Sequence, residues 1–250
     1  MKDFIAVQDR PLLEAAGLSG FDALWDARMP AVDEPNRGRG GWSAVYKLKL
    51  GGAAYYIKRQ SDYLIHSAAH PLGEPTLTRE FRNIRRYHRR GIPTLDVAFF
   101  GQRKVAGERR AILLTRALDG WNDLASWLES WSEVSVARRE TILRACGELV
   151  RQLHQAGQRH GCLYPKHIFL REQGGRFDTC LIDLEKTRPL MFGRGGRERD
   201  LDALVRRAGW CDGDVATLLA AYLGCMPDAA RVDRWRRRLL VRSISKDAQP

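Results

Sequence analysis

At 250 residues the chain is long enough for one large domain or for two small lobes, each with its own core. Its composition is that of a globular protein, 44% hydrophobic with 7 Trp to bury, which excludes a disordered chain. Lys and Arg number 42 against 30 Asp and Glu, a formal net charge of +12 whose field attracts polyanions: nucleic acid, phosphorylated glycolipid or an anionic membrane face.

Residues 1–35 form a mixed leader, holding Trp25 and Pro30, that is expected to pack on the body. From Trp42 to Leu50 the pattern alternates, with Ala44, Tyr46, Leu48 and Leu50 on one face and Val45, Lys47 and Lys49 on the other. A period of two marks a half-buried strand. Gly51-Gly52 signals a two-residue hairpin, and Ala53–Lys58 returns as the partner strand. Ser61–Pro75 is long for a strand-to-helix link, and with His66 and His70 it is a candidate for acceptor recognition. The spacing of Leu77, Phe81, Ile84 and His88 predicts a helix over Thr76–Arg90, capped by Thr76 and stopped by Gly91 and Pro93. Val97–Phe100 and Ala111–Thr115 read as short strands, and Arg116–Gly120 as a hinge.

Beyond the hinge the periodicity turns helical. Asp123–Ser130 is a short helix and Val136–Gln155 a long one, with Ile142, Leu143, Cys146, Leu149, Val150 and Leu153 along one stripe. Thr179–Ile182 is a small strand, and helices follow near Leu201–Arg207, Asp214–Tyr222 and Val232–Val241. A sheet-rich first half, a hinge and a helical second half predict two lobes around a cleft.

The five Cys, at positions 146, 162, 180, 211 and 225, show no CxxC and no Cys/His ligand spacing, so no zinc site is expected. Their odd, scattered set suits a reducing cytosol. The opening MKDFIAVQDR has no apolar signal core, and no stretch approaches the roughly 18 apolar residues of a membrane span.

Four features carry chemistry, and they fall in order. Gly38-Arg39-Gly40-Gly41-Trp42-Ser43 stands at the entrance to the first strand, where glycines let backbone N–H groups approach phosphate oxygens. Glycine turns before hairpins are also common without any ligand. Lys58, ending the returning strand, can neutralise phosphates if Glu80 on the next helix fixes its ammonium; a solvated Lys and Glu is the plainer alternative. The third feature is His160-Gly161-Cys162-Leu163-Tyr164-Pro165-Lys166-His167-Ile168-Phe169-Leu170, directly after the long helix. The fourth is Leu181-Ile182-Asp183-Leu184-Glu185, which offers a hard oxygen ligand of the kind magnesium prefers.

This ordered set resembles the protein kinases and their small-molecule relatives: glycine-rich loop, strand Lys, helix Glu, H-x-D-x-x-x-x-N loop and D-F-G-like metal site. It is more closely similar to the Kdo/WaaP lipopolysaccharide kinase family, particularly its InaA-like branch. The residues that carry this are Tyr56-Ile57-Lys58, Arg79-Glu80-Phe81, the His160–Leu170 stretch, Leu181-Ile182-Asp183-Leu184-Glu185-Lys186 and Arg199-Asp200-Leu201.

The resemblance implies an α+β, two-lobed protein-kinase-like fold. Residues 36–116 would be an antiparallel-sheet lobe with one helix, binding nucleotide phosphates, and residues 117–250 a mainly helical lobe with the catalytic loop, metal site and acceptor site. It implies a cytoplasmic enzyme, peripheral at the inner face of the inner membrane, that moves the γ-phosphate of ATP onto a heptose or Kdo hydroxyl of the lipopolysaccharide inner core, with Mg2+ as cofactor. Gly38, Gly40, Gly41 and Ser43 would then face the nucleotide, Lys58 would hold its α and β phosphates, and Glu80 would orient Lys58. Asp183 would bind magnesium. His167, where generic kinases have Asn, would touch metal or phosphate, and Asp200 would support the catalytic-loop backbone.

Two positions depart from the pattern. Cys162 occupies the place of the Asp that accepts the acceptor's proton, and a thiol with a reference pKa of about 8.5 is a poor substitute. Ser43 replaces the third glycine. Glu185 is an alternative base, and a weak or silent kinase-like protein that binds nucleotide and serves as a regulatory or assembly module in envelope biogenesis is the alternative function. Basic clusters at Arg79–Arg90, Arg103–Arg110, Arg194–Arg199 and Arg231–Arg242 read as solvated faces or as patches for an anionic glycolipid or leaflet. The last is a helix with Val232, Trp235, Leu239 and Leu240 on its apolar stripe. Nucleic acid is set aside as a partner, because charge alone argues for it and no recognition module accompanies the charge.

Overall fold

Alternation over residues 42–50 has the consequence expected of it: Ala44 and Leu48 are buried while Lys47 and Lys49 face solvent. The computed structural model that places them describes residues 2–38, 40–67, 70–190 and 195–247, residues 241–247 by backbone alone. The contacts divide the chain into two units, Met1–Arg86 with Leu95–Asp119 and Tyr87–Thr94 with Gly120–Pro250.

The first unit is built on a six-stranded antiparallel sheet. Its leader supplies β1 (Phe4–Ile5), α1 (Arg10–Ala15) and α2 (Phe21–Asp26); then come β2 (Asn36–Gly38), β3 (Gly41–Leu50) and β4 (Ala53–Ser61). A small hairpin, β5 (Leu64–Ser67) with β6 (His70–Pro75), leads into α3 (Thr76–Arg89), and β7 (Val97–Val105) and β8 (Glu108–Arg116) complete the sheet. The strand order is β1-β7-β8-β4-β3-β2. Leu13, Phe21 and Leu24 of the leader pack with Leu48, Tyr55, Ile57, Phe99, Ile112 and Leu114, so the leader covers one face of the sheet. Side chains alternate along a strand. Phe100 therefore points to the opposite face, where its ring stacks on Phe81 of α3 at 4.2 Å.

Three expectations about this unit need correction. The link over Ser61–Pro75 is a paired hairpin, and its Glu74 accepts two bonds from Arg82 at 2.7 and 2.6 Å. His70 Nε2 lies 3.5 Å from Glu74, so this histidine is partnered. Thr76 does not cap α3: its hydroxyl donates to Gln60 Oε1, which also accepts from the Leu77 N–H, so the cap comes from β4. In the last turn of α3 His88 is exposed and Tyr87 is fully buried, because Tyr87 belongs to the second unit and lies 3.0 Å from the Thr187 hydroxyl.

The second unit contains β9 (Asn122–Asp123), α4 (Leu124–Glu129), α5 (Val136–Gln155), β10 (Gln158–Arg159), β11 (Ile168–Gln173), β12 (Arg176–Leu181), β13 (Arg188–Pro189), α6 (Gly195–Ala208), α7 (Asp212–Leu223) and α8 (Ala230–Asp247). The strands form a β12-β11-β9 sheet and a separate β10-β13 pair. All six stripe residues of α5 are buried, and α5 packs against α7 and β12. On α8, Val232 and Leu239 are buried but Leu240 is 62% exposed. It lies about 80° round the helix from Val232, outside the buried stripe. Arg194 and the side chain of Arg242, ends of two of the basic clusters, lie outside the described residues. No helix among the described residues is long and apolar enough to cross a membrane.

Candidate active site

In the first unit Lys58 sits in the middle of the sheet, paired with Val45 of β3 and Leu113 of β8. Ile57 faces the leader core, so Lys58 projects toward α3. There its ammonium donates to both oxygens of Glu80, at 2.7 and 3.0 Å. The Glu80 side chain is 4% exposed and that of Lys58 26%, so the pair is a buried carboxylate holding a partly open ammonium. This fixes the Lys Nζ against the Glu80 carboxylate.

Gly38 pairs with Gly41 across a tight turn in which Gly40 has φ +81°, and Arg39 lies outside the described residues. The demand for glycine at 41 has a packing cause: a Cβ there would stand 2.0 Å from the Ser61 carbonyl oxygen. Ser43 is opposite Gln60 on β4 and half-buried.

In the second unit the His160–His167 loop is held from beneath by Asp200 of α6. Its carboxylate accepts from the backbone N–H of His160 at 2.6 Å and of Gly161 at 3.0 Å. Burial opposes the charge on Asp200, but His154 and the two amides outweigh it and hold the carboxyl below the usual range. His154 in turn bonds the Tyr222 hydroxyl at 3.0 Å. Gly161, at φ +85°, passes so close to the Lys186 carbonyl that a Cβ would come within 2.6 Å of its oxygen. Only glycine fits both the dihedral and the space.

Four side chains converge above this support. His160 is fully buried; its Nε2–H donates to the Ile182 carbonyl at 2.9 Å, which turns Nδ1 to the Cys162 sulfur at 3.5 Å. His167 donates from Nδ1 to the Cys162 carbonyl at 2.8 Å, which turns Nε2 to Asp183 Oδ2 at 3.2 Å. Cys162 Sγ is 3.8 Å from the same Oδ2. Asp183 has a left-handed backbone, φ and ψ both 59°, an unfavourable state for a non-glycine residue that aims its carboxylate here. Burial, then the nearby Asp183 charge, pushes the Cys162 thiol up to about 12, so it is protonated and cannot serve as a base. Burial lowers the pKa of His160 and keeps it neutral.

Asp183, with its side chain 35% exposed, fits a magnesium ion that draws its other ligands from water and phosphate. The imidazole of His167 and the thiol of Cys162 are softer donors and suit that ion less well. Sequence reasoning assigned no role to His160 or His154. The first stood inside the quoted loop motif, whereas nothing along the chain tied His154 to Asp200. A separate cavity of about 490 Å³, lined by Arg151, Arg197, Arg231, Arg234, Trp235 and Arg238, opens beside α5, α7 and α8.

An antiparallel sheet whose central Lys is fixed by a helix Glu, followed by a helical unit with an Asp-supported loop and a strand-end Asp, is a protein-kinase-like fold. It is shared with the solved structure of WaaP in complex with acyl carrier protein, at a TM-score of 0.69 and 22% identity over 95% of this chain and 97% of that one. The chain belongs to the lipopolysaccharide kinase (Kdo/WaaP) family, whose model matches residues 22–222. Among its relatives, the protein InaA of Escherichia coli strain K12 is 32% identical over 170 residues, 67% of this chain and 78% of InaA.

Proposed function

We propose that the chain transfers the γ-phosphoryl group of ATP to a sugar hydroxyl, of heptose or Kdo, in the lipopolysaccharide inner core. The observation that carries this reading is the bidentate Lys58–Glu80 pair on the central strand, in a chain of the lipopolysaccharide kinase family. Lys58 is the cation for the nucleotide phosphates, and the turn at Gly38–Gly41 offers backbone amides to them. In the second unit Asp183 is the oxygen ligand for the nucleotide's magnesium, which when bound neutralises phosphate charge and helps leaving-group departure. Asp200 and His154 keep the catalytic loop in place.

The absence of a base at Cys162 does not by itself remove activity. Phosphoryl transfer has a loose transition state in which positioning and charge neutralisation supply most of the rate. A general base adds about 10²–10⁴-fold. The test is transfer from γ-labelled ATP to dephosphorylated core glycolipid; label in the heptose or Kdo region supports the proposal, and no label on any core acceptor removes it.

A second reading is favoured by the buried, protonated Cys162: a silent family member that binds nucleotide and acts as a regulatory or assembly module. It predicts ATP-dependent thermal stabilisation without transfer. In either case we infer that the chain works at the cytoplasmic face of the inner membrane, a reading that its net charge of +12 favours.

A further inference from the structure

The loop motif places two imidazoles and a thiol around one point, with the Asp183 carboxylate against two of them, and this donor set is wrong for magnesium. His160, Cys162 and His167 are all buried, and one ligand atom from each lies within 4.8 Å of the others. Three of the six separations among these groups are near the scale of a tetrahedral centre. With Zn–S of about 2.3 Å and Zn–N or Zn–O of about 2.0 Å, ligand atoms stand about 3.5 Å (S to N or O) and about 3.3 Å (N to O) apart. The corresponding distances are 3.5 Å from Cys162 Sγ to His160 Nδ1, 3.2 Å from His167 Nε2 to Asp183 Oδ2, and 3.8 Å from Cys162 Sγ to that oxygen.

The outer contacts agree. A metal-bound histidine donates its other ring N–H to a carbonyl or carboxylate, which sets the tautomer and the ring plane. His160 does this to the Ile182 carbonyl and His167 to the Cys162 carbonyl. With Nδ1 of His167 donating, Nε2 is the ring atom that faces the Asp183 oxygen, 3.2 Å away. A proton on Nε2 or a metal ion between the two groups satisfies this contact, and the thiol and second imidazole beside it suit the metal ion. The exposed side of Asp183 gives a way in.

We propose that His160, Cys162 and His167, with Asp183 beside them as the fourth ligand, form a binding site for one borderline divalent transition cation, of which Zn2+ is the type. Soft and imidazole ligands select such ions over magnesium. The site shares Asp183 with the magnesium assignment above but does not depend on phosphotransfer. The thiol's position in the catalytic loop then has a chemical use, as a metal ligand in place of a base.

The test uses the full chain, stripped with chelator and free of nucleotide, so that it is independent of any transfer assay. Titration with Co2+ is expected to give one equivalent bound, with the intense visible bands of a tetrahedral site and a near-ultraviolet thiolate-to-cobalt band. Stoichiometric Zn2+ should displace it, and excess Mg2+ should not. Cys162→Ser should abolish the thiolate band, whereas Cys211→Ser, at an exposed position, should leave it intact. A thiolate band that persists in Cys162→Ser overturns the proposal, as does weak octahedral-type absorption without that band. Should Cys162→Ser fail to fold, X-ray absorption of the zinc-loaded wild-type chain decides instead: one sulfur with nitrogen and oxygen neighbours supports the site, and an oxygen-only shell refutes it.

Discussion

Cys162 is 2% exposed and lies between His160 and Asp183, surroundings that favour the neutral thiol. Replacing it by Asp supplies an acceptor for the sugar hydroxyl's proton. On the phosphotransfer reading, Cys162→Asp should raise the turnover number by up to about 10²–10⁴-fold in the labelled-ATP assay; unchanged turnover would mean that proton removal is not what limits the chain. Lys58 is a different kind of residue, since its loss takes two charge-assisted hydrogen bonds from the buried Glu80 carboxylate. Lys58→Met should destabilise the fold by about 2–3 kcal/mol in denaturant titration, less than the about 3–5 of a fully buried pair because Lys58 is a quarter exposed. Adding Glu80→Gln should return part of that stability. Neither variant should show ATP-dependent stabilisation.

At the scale of elements, two polar knots hold segments that hydrophobic patterning alone would leave loose. Asp9 of the leader accepts from the Tyr55 hydroxyl at 2.7 Å and from Arg116 at 2.9 Å, tying α1 to β4 and β8. Burial first, and then the Asp9 hydrogen bond, raises Tyr55 to about 12. A phenol whose folded pKa is raised contributes stability that is complete below its ordinary value of about 10 and is lost as pH rises through the folded value. Tyr55→Phe should therefore cost about 1–2 kcal/mol near neutrality. Its deficit against wild type should shrink between the ordinary value and about 12. The second knot is Asp200, which joins α6 to the His160–His167 loop. Asp200→Ala should cost about 3 kcal/mol and remove hydrogen-exchange protection from the His160 and Gly161 amides; retained protection would show that the loop holds its shape without this carboxylate.

At the scale of the whole molecule the net charge of +12 is unevenly spent. Much of the arginine is engaged locally, as Arg82 is with Glu74, Arg103 with Asp3 and Arg171 with Asp178. The cavity beside α8, by contrast, gathers Arg231, Arg234 and Arg238 on one side of Trp235. If this face meets an anionic glycolipid surface, each near-surface charge contributes about 1 kcal/mol. The triple change to Ala should weaken sedimentation with anionic vesicles by about 100-fold, and salt at about 1 M should do the same to the wild type by screening. Binding that ignores both would place the membrane contact elsewhere.

Much of this was legible along the chain because it depends on local periodicity and on motif order. The bounds of α5 and the β3–β4 hairpin follow from spacing, the pairing of Lys58 with Glu80 stood beside a solvated alternative, and the support that Asp200 gives the loop was implied by the family resemblance. What neighbours in space must supply was not legible: the Gln60 cap of α3, the burial of Tyr87 in place of His88, and the hairpin within Ser61–Pro75. The same holds for the metal-like cluster. His160, Cys162 and His167 show no familiar ligand spacing, and they meet only because a glycine turn, a short 3-10 turn at Pro165–His167 and the strained backbone of Asp183 fold the loop onto itself. Sequence determined the supply of donor side chains and marked Asp183 and His167 among them; the convergence of His160 and Cys162 on the same point is a property of three-dimensional closure, and only the tertiary structure could decide it.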